Sequence, residues 1–147
     1  LSKGLGAPVG SVLLGSKEEN NKAVCVRKAF GGGMRQAGFL AAAGIYALDN
    51  NIAKLPTDHK HARALGDALS SVSYVASVLP VETNIVVFEV AEGIKPVHLV
   101  QQLAEKGIAC NATGPKTVRM VTHLNISSEM IDRAIENIIH LQVSAHK

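Results

Sequence analysis

Apolar and polar residues follow two different rhythms along this chain of 147 residues. In the first half, apolar positions recur at three- and four-residue steps, the spacing of helices buried along one face; past Ser71, short runs of period two appear between helical segments. Residues 9–14 read as a short apolar strand leaving a glycine-loosened turn, and Ser16 as a helix cap. Residues 20–30 are helical in pattern, with Ala23, Val26 and Phe30 on one face and Arg27 and Lys28 near the C-terminal end, where the helix dipole favours cations. Gly31, Gly32 and Gly33 end that helix. A second helix over residues 34–51 is rich in alanine and glycine, which permits close approach of another helix or another subunit. A third spans residues 57–69, with Pro56 and Thr57 at its start and Ala62, Leu65 and Leu69 on one stripe.

Beyond that point residues 73–78 and 84–90 read as strands and residues 96–106 as a helix closed by Gly107. Residues 108–111 and 117–122 read as a second strand pair. Ser127 caps a last helix in which Ile131, Ala134, Ile135, Ile138 and Ile139 form the apolar face. The order β-β-α-β-β-α predicts a small two-layer α/β unit. The change of rhythm predicts a division into residues 1–71 and 72–147.

Composition narrows the class. With 47% hydrophobic and 18% charged residues and no low-complexity block, the chain is neither a disordered tail nor a fibrous repeat. No apolar run approaches the roughly 18 residues of a membrane span, and the opening residues lack a signal-peptide pattern. Cys25 and Cys110 lie far apart without CxxC spacing, which argues against a disulfide framework or zinc site and fits a reducing, cytoplasmic compartment. A net charge of +3 without a Lys/Arg cluster, and 3% aromatic residues, argue against nucleic acid as a partner.

Few residues are candidates for chemistry. Lys3, between a serine and a glycine at the edge of the glycine-rich turn, is either a solvated surface lysine or an amine held rigidly enough to attack a carbonyl. Gly31, Gly32 and Gly33 followed by Arg35 read either as a flexible connector or as a helix start whose free N–H groups and guanidinium suit an anion. Arg119 interrupts an apolar strand, so it points to solvent, the reading that strand alternation favours, or clamps a carboxylate. The six histidines form no metal constellation; His59 and His61 are assigned to the surface, and His123 to a backbone-bonded loop position or to the neighbourhood of Arg119.

Three stretches taken together carry a resemblance. SKGLGAPVGS from Ser2, GGGMRQAG from Gly31 behind Arg27 and Lys28, and VRMVTH from Val118 resemble, in that order and at similar spacing, the low-specificity L-threonine aldolases. The resemblance implies the aspartate aminotransferase fold (fold type I), with residues 1–71 as the end of a large domain that binds pyridoxal 5'-phosphate (PLP) and residues 72–147 as a small C-terminal α/β domain. It implies Lys3 as the catalytic Schiff-base lysine, Arg35 as a ligand of the cofactor phosphate, and Arg119 with Lys28 as substrate-binding residues. The implied reaction is cleavage of L-threonine or L-allo-threonine to glycine and acetaldehyde by a cytoplasmic homo-oligomer, a dimer or tetramer. In that family the lysine lies past the middle of a much longer chain, so the expectation is a C-terminal portion, inactive alone. Two alternatives stand beside it: a β-eliminating amino-acid lyase of the same fold, and an inactive interaction module.

Overall fold

The computed structural model describes residues 1–143, which divide into two compact units, Leu1–Ile52 and Ala53 onward.

The first unit holds a 3-10 turn, Lys3–Leu5, and two helices, α1 (Lys17–Ala29) and α2 (Gly38–Asn51). Helix α1 begins at a complete capping box: Glu19 N–H donates to Ser16 Oγ (3.3 Å), and Ser16 N–H donates to the Glu19 carboxylate (2.8 Å). The Ser16 N–H bond, with a smaller contribution from the Ser16 hydroxyl, holds the Glu19 carboxyl below its ordinary pKa. The strand expected over residues 9–14 does not form. With no neighbouring strand to bond it, the segment runs as an irregular connection, and Leu14 is 88% exposed. Helix α2 starts at Gly38 rather than at residue 34, because Gln36 takes the left-handed conformation (φ 49°), which no right-handed helix accommodates.

The second unit contains α3 (Leu55–Ser70), β1 (Val75–Val78), β2 (Ile85–Val90), α4 (Pro96–Glu105), β3 (Asn111–Ala112), β4 (Thr117–Val121) and α5 (Ser128–His140). The expected β-β-α-β-β-α order is present, with the strand anticipated over 108–111 reduced to Asn111–Ala112. The four strands form an antiparallel sheet ordered β1-β2-β4-β3. Val86, Phe88 and Val90 on β2 and Val118 and Met120 on β4 alternate inward and meet Leu65 and Leu69 of α3, Leu99 and Leu103 of α4, and Ile131 and Ile138 of α5 in one core. Helix α3, which the change of rhythm placed ahead of the division, packs on β1, β2 and α5.

A buried polar cluster ties α3 to the end of β4. Thr122 Oγ1 donates to the Asp58 carbonyl (2.8 Å), Asn84 Nδ2 donates to the Thr122 carbonyl (2.8 Å), and His61 Nε2 lies 3.2 Å from Ser128 Oγ. The surface assignment is therefore corrected: His61 is 7% exposed and His59 half-buried, because α3 turns its His61 side toward α5.

The two thiols differ in environment. Cys25 is exposed on α1, whereas Cys110 packs against the core, and burial pushes its thiol up to about 11. A raised pKa keeps Cys110 protonated, hence unreactive, at neutral pH. At pH 8 a disulfide exchange reagent is expected to modify one thiol quickly; peptide mapping should find it at Cys25, with Cys110 labelled only near pH 11 or in denaturant. Fast labelling of Cys110 at pH 8 would contradict its burial.

Among the described residues no helix is long and apolar enough to cross a membrane.

Candidate functional site

Lys3 sits on a clamped turn. Gly6, in the left-handed conformation (φ 72°), donates its N–H to the Lys3 carbonyl (2.9 Å), and Asn51 Nδ2 at the end of α2 donates to the Leu5 carbonyl (2.8 Å). Gly4 and Ala7 are buried in the turn while the Lys3 side chain is exposed. Lys3 itself has φ 61°, a left-handed conformation that costs a non-glycine residue on the order of 1 kcal/mol or more. Among the described residues the two non-glycine positions of positive φ are Lys3 and Gln36, one in each of the first two motif stretches. Backbone strain of this kind clusters where a side chain must be aimed rather than merely accommodated.

The triple glycine does different work from the one its composition suggests. The N–H groups of Gly31 and Gly32 donate to the carbonyls of Lys28 and Arg27 and close the C-terminal end of α1, and that of Gly33 donates to the Gly31 carbonyl, so none of the three is free for an anion. Only glycine fits at position 32, where a Cβ would come within 2.6 Å of Arg27 Cγ and 2.9 Å of the Arg27 carbonyl oxygen. Arg35 follows in an exposed bend, ahead of α2 rather than inside its first turn. The cap position of α2 is Ala37, whose side chain makes no capping bond to the first amides. Lys28 is exposed in the last turn of α1, where it also complements the helix dipole.

Arg119 projects from the sheet face opposite the helices. Its neighbours Val118 and Met120 point into the core, and its cross-strand partners are Val87 on β2 and Asn111 on β3. The side chain is exposed and makes no ion pair among the described residues. His123 takes the backbone-bonded position, accepting from Asn125 N–H at its Nδ1 (3.3 Å).

Lys3, Lys28 and Arg35 thus belong to the first unit and Arg119 to the second. A cavity of about 420 Å³ between the end of β4 and α5 has Met120, Ile126 and Ile131 in its wall, with Lys106 and Arg133, and contains none of the four. Asp58 was missed in the sequence: a carboxylate one turn from His61 on an apolar helix stripe was the available signal. Asp58 Oδ2 and His61 Nδ1 are buried without a hydrogen-bond partner among the described residues.

The structure superposes on an ornithine aminotransferase from Plasmodium yoelii over 68% of this chain and 28% of that one, with a TM-score of 0.55 at 22% identity. This defines the class of fold, the aminotransferase type of α/β architecture (fold type I). The chain belongs to the beta-eliminating lyase family, whose signature matches residues 1–93. Low specificity L-threonine aldolase of Escherichia coli (strain K12) is 43% identical over 131 residues, 89% of this chain and 38% of the relative. Probable low-specificity L-threonine aldolase 2 of Arabidopsis thaliana is 41% identical over 146 residues, 95% of this chain and 41% of the relative. The resemblance read from the three motif stretches holds over nearly all of the chain, which spans about two fifths of the length of these curated relatives.

Proposed function

We propose that the full-length protein carrying this segment is a PLP-dependent aldehyde lyase that cleaves L-threonine or L-allo-threonine to glycine and acetaldehyde. The observation that carries the reading is the strained, clamped backbone at Lys3, which spends conformational energy to aim an exposed amine. The two aldolase relatives support the choice of substrate.

The chain offers groups of the kinds PLP chemistry needs: a primary amine at Lys3 for its aldehyde, the Arg35 guanidinium for its phosphate, and the Arg119 guanidinium for a substrate carboxylate. When bound, the cofactor supplies an electron sink for the pair released from the Cα–Cβ bond. Lys3 would hold the cofactor through its amine and, when that amine is free, would carry a proton to or from the substrate Cα. Arg35, with the first amides of α2, holds the phosphate. Arg119 takes the substrate carboxylate in a bidentate grip, and Lys28 adds positive charge on the substrate side.

Residues 1–71 are read as the end of the PLP-binding domain and residues 72–147 as the small domain, α3 being the element that leads from one to the other. The exposed side chains of Leu14, Phe30 and Phe39 (88%, 88% and 91%) support burial of these apolar surfaces in the full-length protein and against a second copy, in a homodimer or a tetramer of two paired dimers. The free thiols support a cytoplasmic location.

Product analysis on the full-length enzyme tests the reading. Threonine should give glycine and acetaldehyde; release of ammonia and a 2-oxo acid instead would assign β-elimination, the chemistry for which the family is named. Arg119→Ala should raise KM for threonine by roughly 100-fold, the order of about 3 kcal/mol expected when one partner of a charged pair is removed, with the PLP absorbance retained. An unchanged KM would return Arg119 to the solvent-facing role that strand alternation favours.

A further inference from the structure

We infer that Ser77 is a positioning residue for the carboxylate site: its hydrogen bond to Glu89 keeps that carboxylate from occupying Arg119. The inference rests on the assignment of Arg119 to the substrate carboxylate.

The open face of the sheet carries two rows of side chains. One row crosses Ser77 on β1, Glu89 on β2 and Thr117 on β4; the next crosses Val87 on β2, Arg119 on β4 and Asn111 on β3. Glu89 and Arg119 are therefore diagonal neighbours on adjacent strands, a separation that long side chains bridge. Val87 and Asn111, which flank Arg119 directly, carry no charge. Glu89 is thus the acid on this face in register to neutralise Arg119, and both residues are exposed. Yet no Glu89–Arg119 ion pair forms; Ser77 Oγ donates to Glu89 Oε2 at 3.2 Å, on the side of β2 away from β4.

The backbone is shaped for this contact. The register of β1 against β2 slips between Val75, which pairs with Val90, and Ser77, which pairs with Glu89. Without that bulge the uninterrupted ladder from Val75 would set Ala76 opposite Glu89 and turn Ser77 to the core side. The extra residue puts a hydroxyl where a methyl group would otherwise stand, a known use of bulges to re-aim a side chain. A carboxylate that needs only a weak bond to remain outside the site is an internal competitor of the substrate.

The kinetic test uses the full-length holoenzyme. Ser77→Ala should raise KM for threonine about 3- to 5-fold with kcat unchanged, the size of an exposed Arg–Glu pair that the substrate must now displace. Ser77→Thr should keep the wild-type KM, and Glu89→Gln in the Ser77→Ala background should restore it. A crystal structure of the PLP-free Ser77→Ala protein should show a Glu89 carboxylate oxygen within 4 Å, roughly salt-bridge distance, of the Arg119 guanidinium. If Arg119→Ala raises KM but Ser77→Ala leaves KM and the Glu89 position unchanged, the inference fails and the assignment of Arg119 stands. If Arg119→Ala leaves KM unchanged, both fail.

Discussion

Lys3→Ala in the full-length protein is expected to remove the covalent attachment of PLP and to lower kcat for threonine cleavage by roughly 10³-fold or more, since in the proposed reaction one side chain supplies both the nucleophile and a proton carrier. Borohydride treatment followed by peptide mass mapping reads the attachment directly; a reduced adduct persisting on another lysine would remove Lys3 from its assigned role. The left-handed backbone adds a second, separable expectation. Alanine at φ 61° keeps the strain, whereas glycine relieves it, so Lys3→Gly should be equally inactive yet more stable than Lys3→Ala by about 1 kcal/mol. Equal stability of the two variants would show that position 3 holds no strain, and would withdraw the main structural support for the proposed reaction.

Phe88→Ala is expected to cost about 3–5 kcal/mol of unfolding free energy. Phe88 is fully buried on β2, inside the core shared by α3, α4 and α5. Truncation removes an aromatic ring at the junction of several elements, none of which can close the cavity alone. The matched control is Ile85→Ala on the open face, 41% exposed, which should cost less than about 1.5 kcal/mol. Urea titration of both variants at constant m-value distinguishes them; similar losses would mean that the two faces of the sheet are equally buried in the full-length protein.

Much of the fold is legible locally. Ser16 and Ser127 announce their helices because a cap is a contact between residues three apart, and the alternation of residues 85–90 announces β2 because one face of a strand is buried by rule. Failures fall where the decision is not local. Residues 9–14 have strand composition but no partner strand, and composition does not report the partner. The triple glycine reads equally as a connector or an anion-binding start, and the choice falls to the connector because the N–H groups of Gly31 and Gly32 bond the preceding helix and that of Gly33 bonds Gly31. His61 reads as a surface residue because its spacing from His59 fits no metal pair, and spacing along α3 does not report Ser128 of α5 opposite it.

By itself the sequence determined the two-layer order of the small unit and the motif stretches that carry the family, and it offered Lys3, Arg35 and Arg119 for chemistry, since each follows from residue type at short spacing; Lys28 was offered by the resemblance alone. Tertiary structure alone decided that Lys3 is strained and clamped by Asn51, that Arg119 stands unpaired on the open face, and that a bulge brings Ser77 to Glu89. Each of these depends on residues distant in the chain or on a backbone conformation that only the folded surroundings can hold.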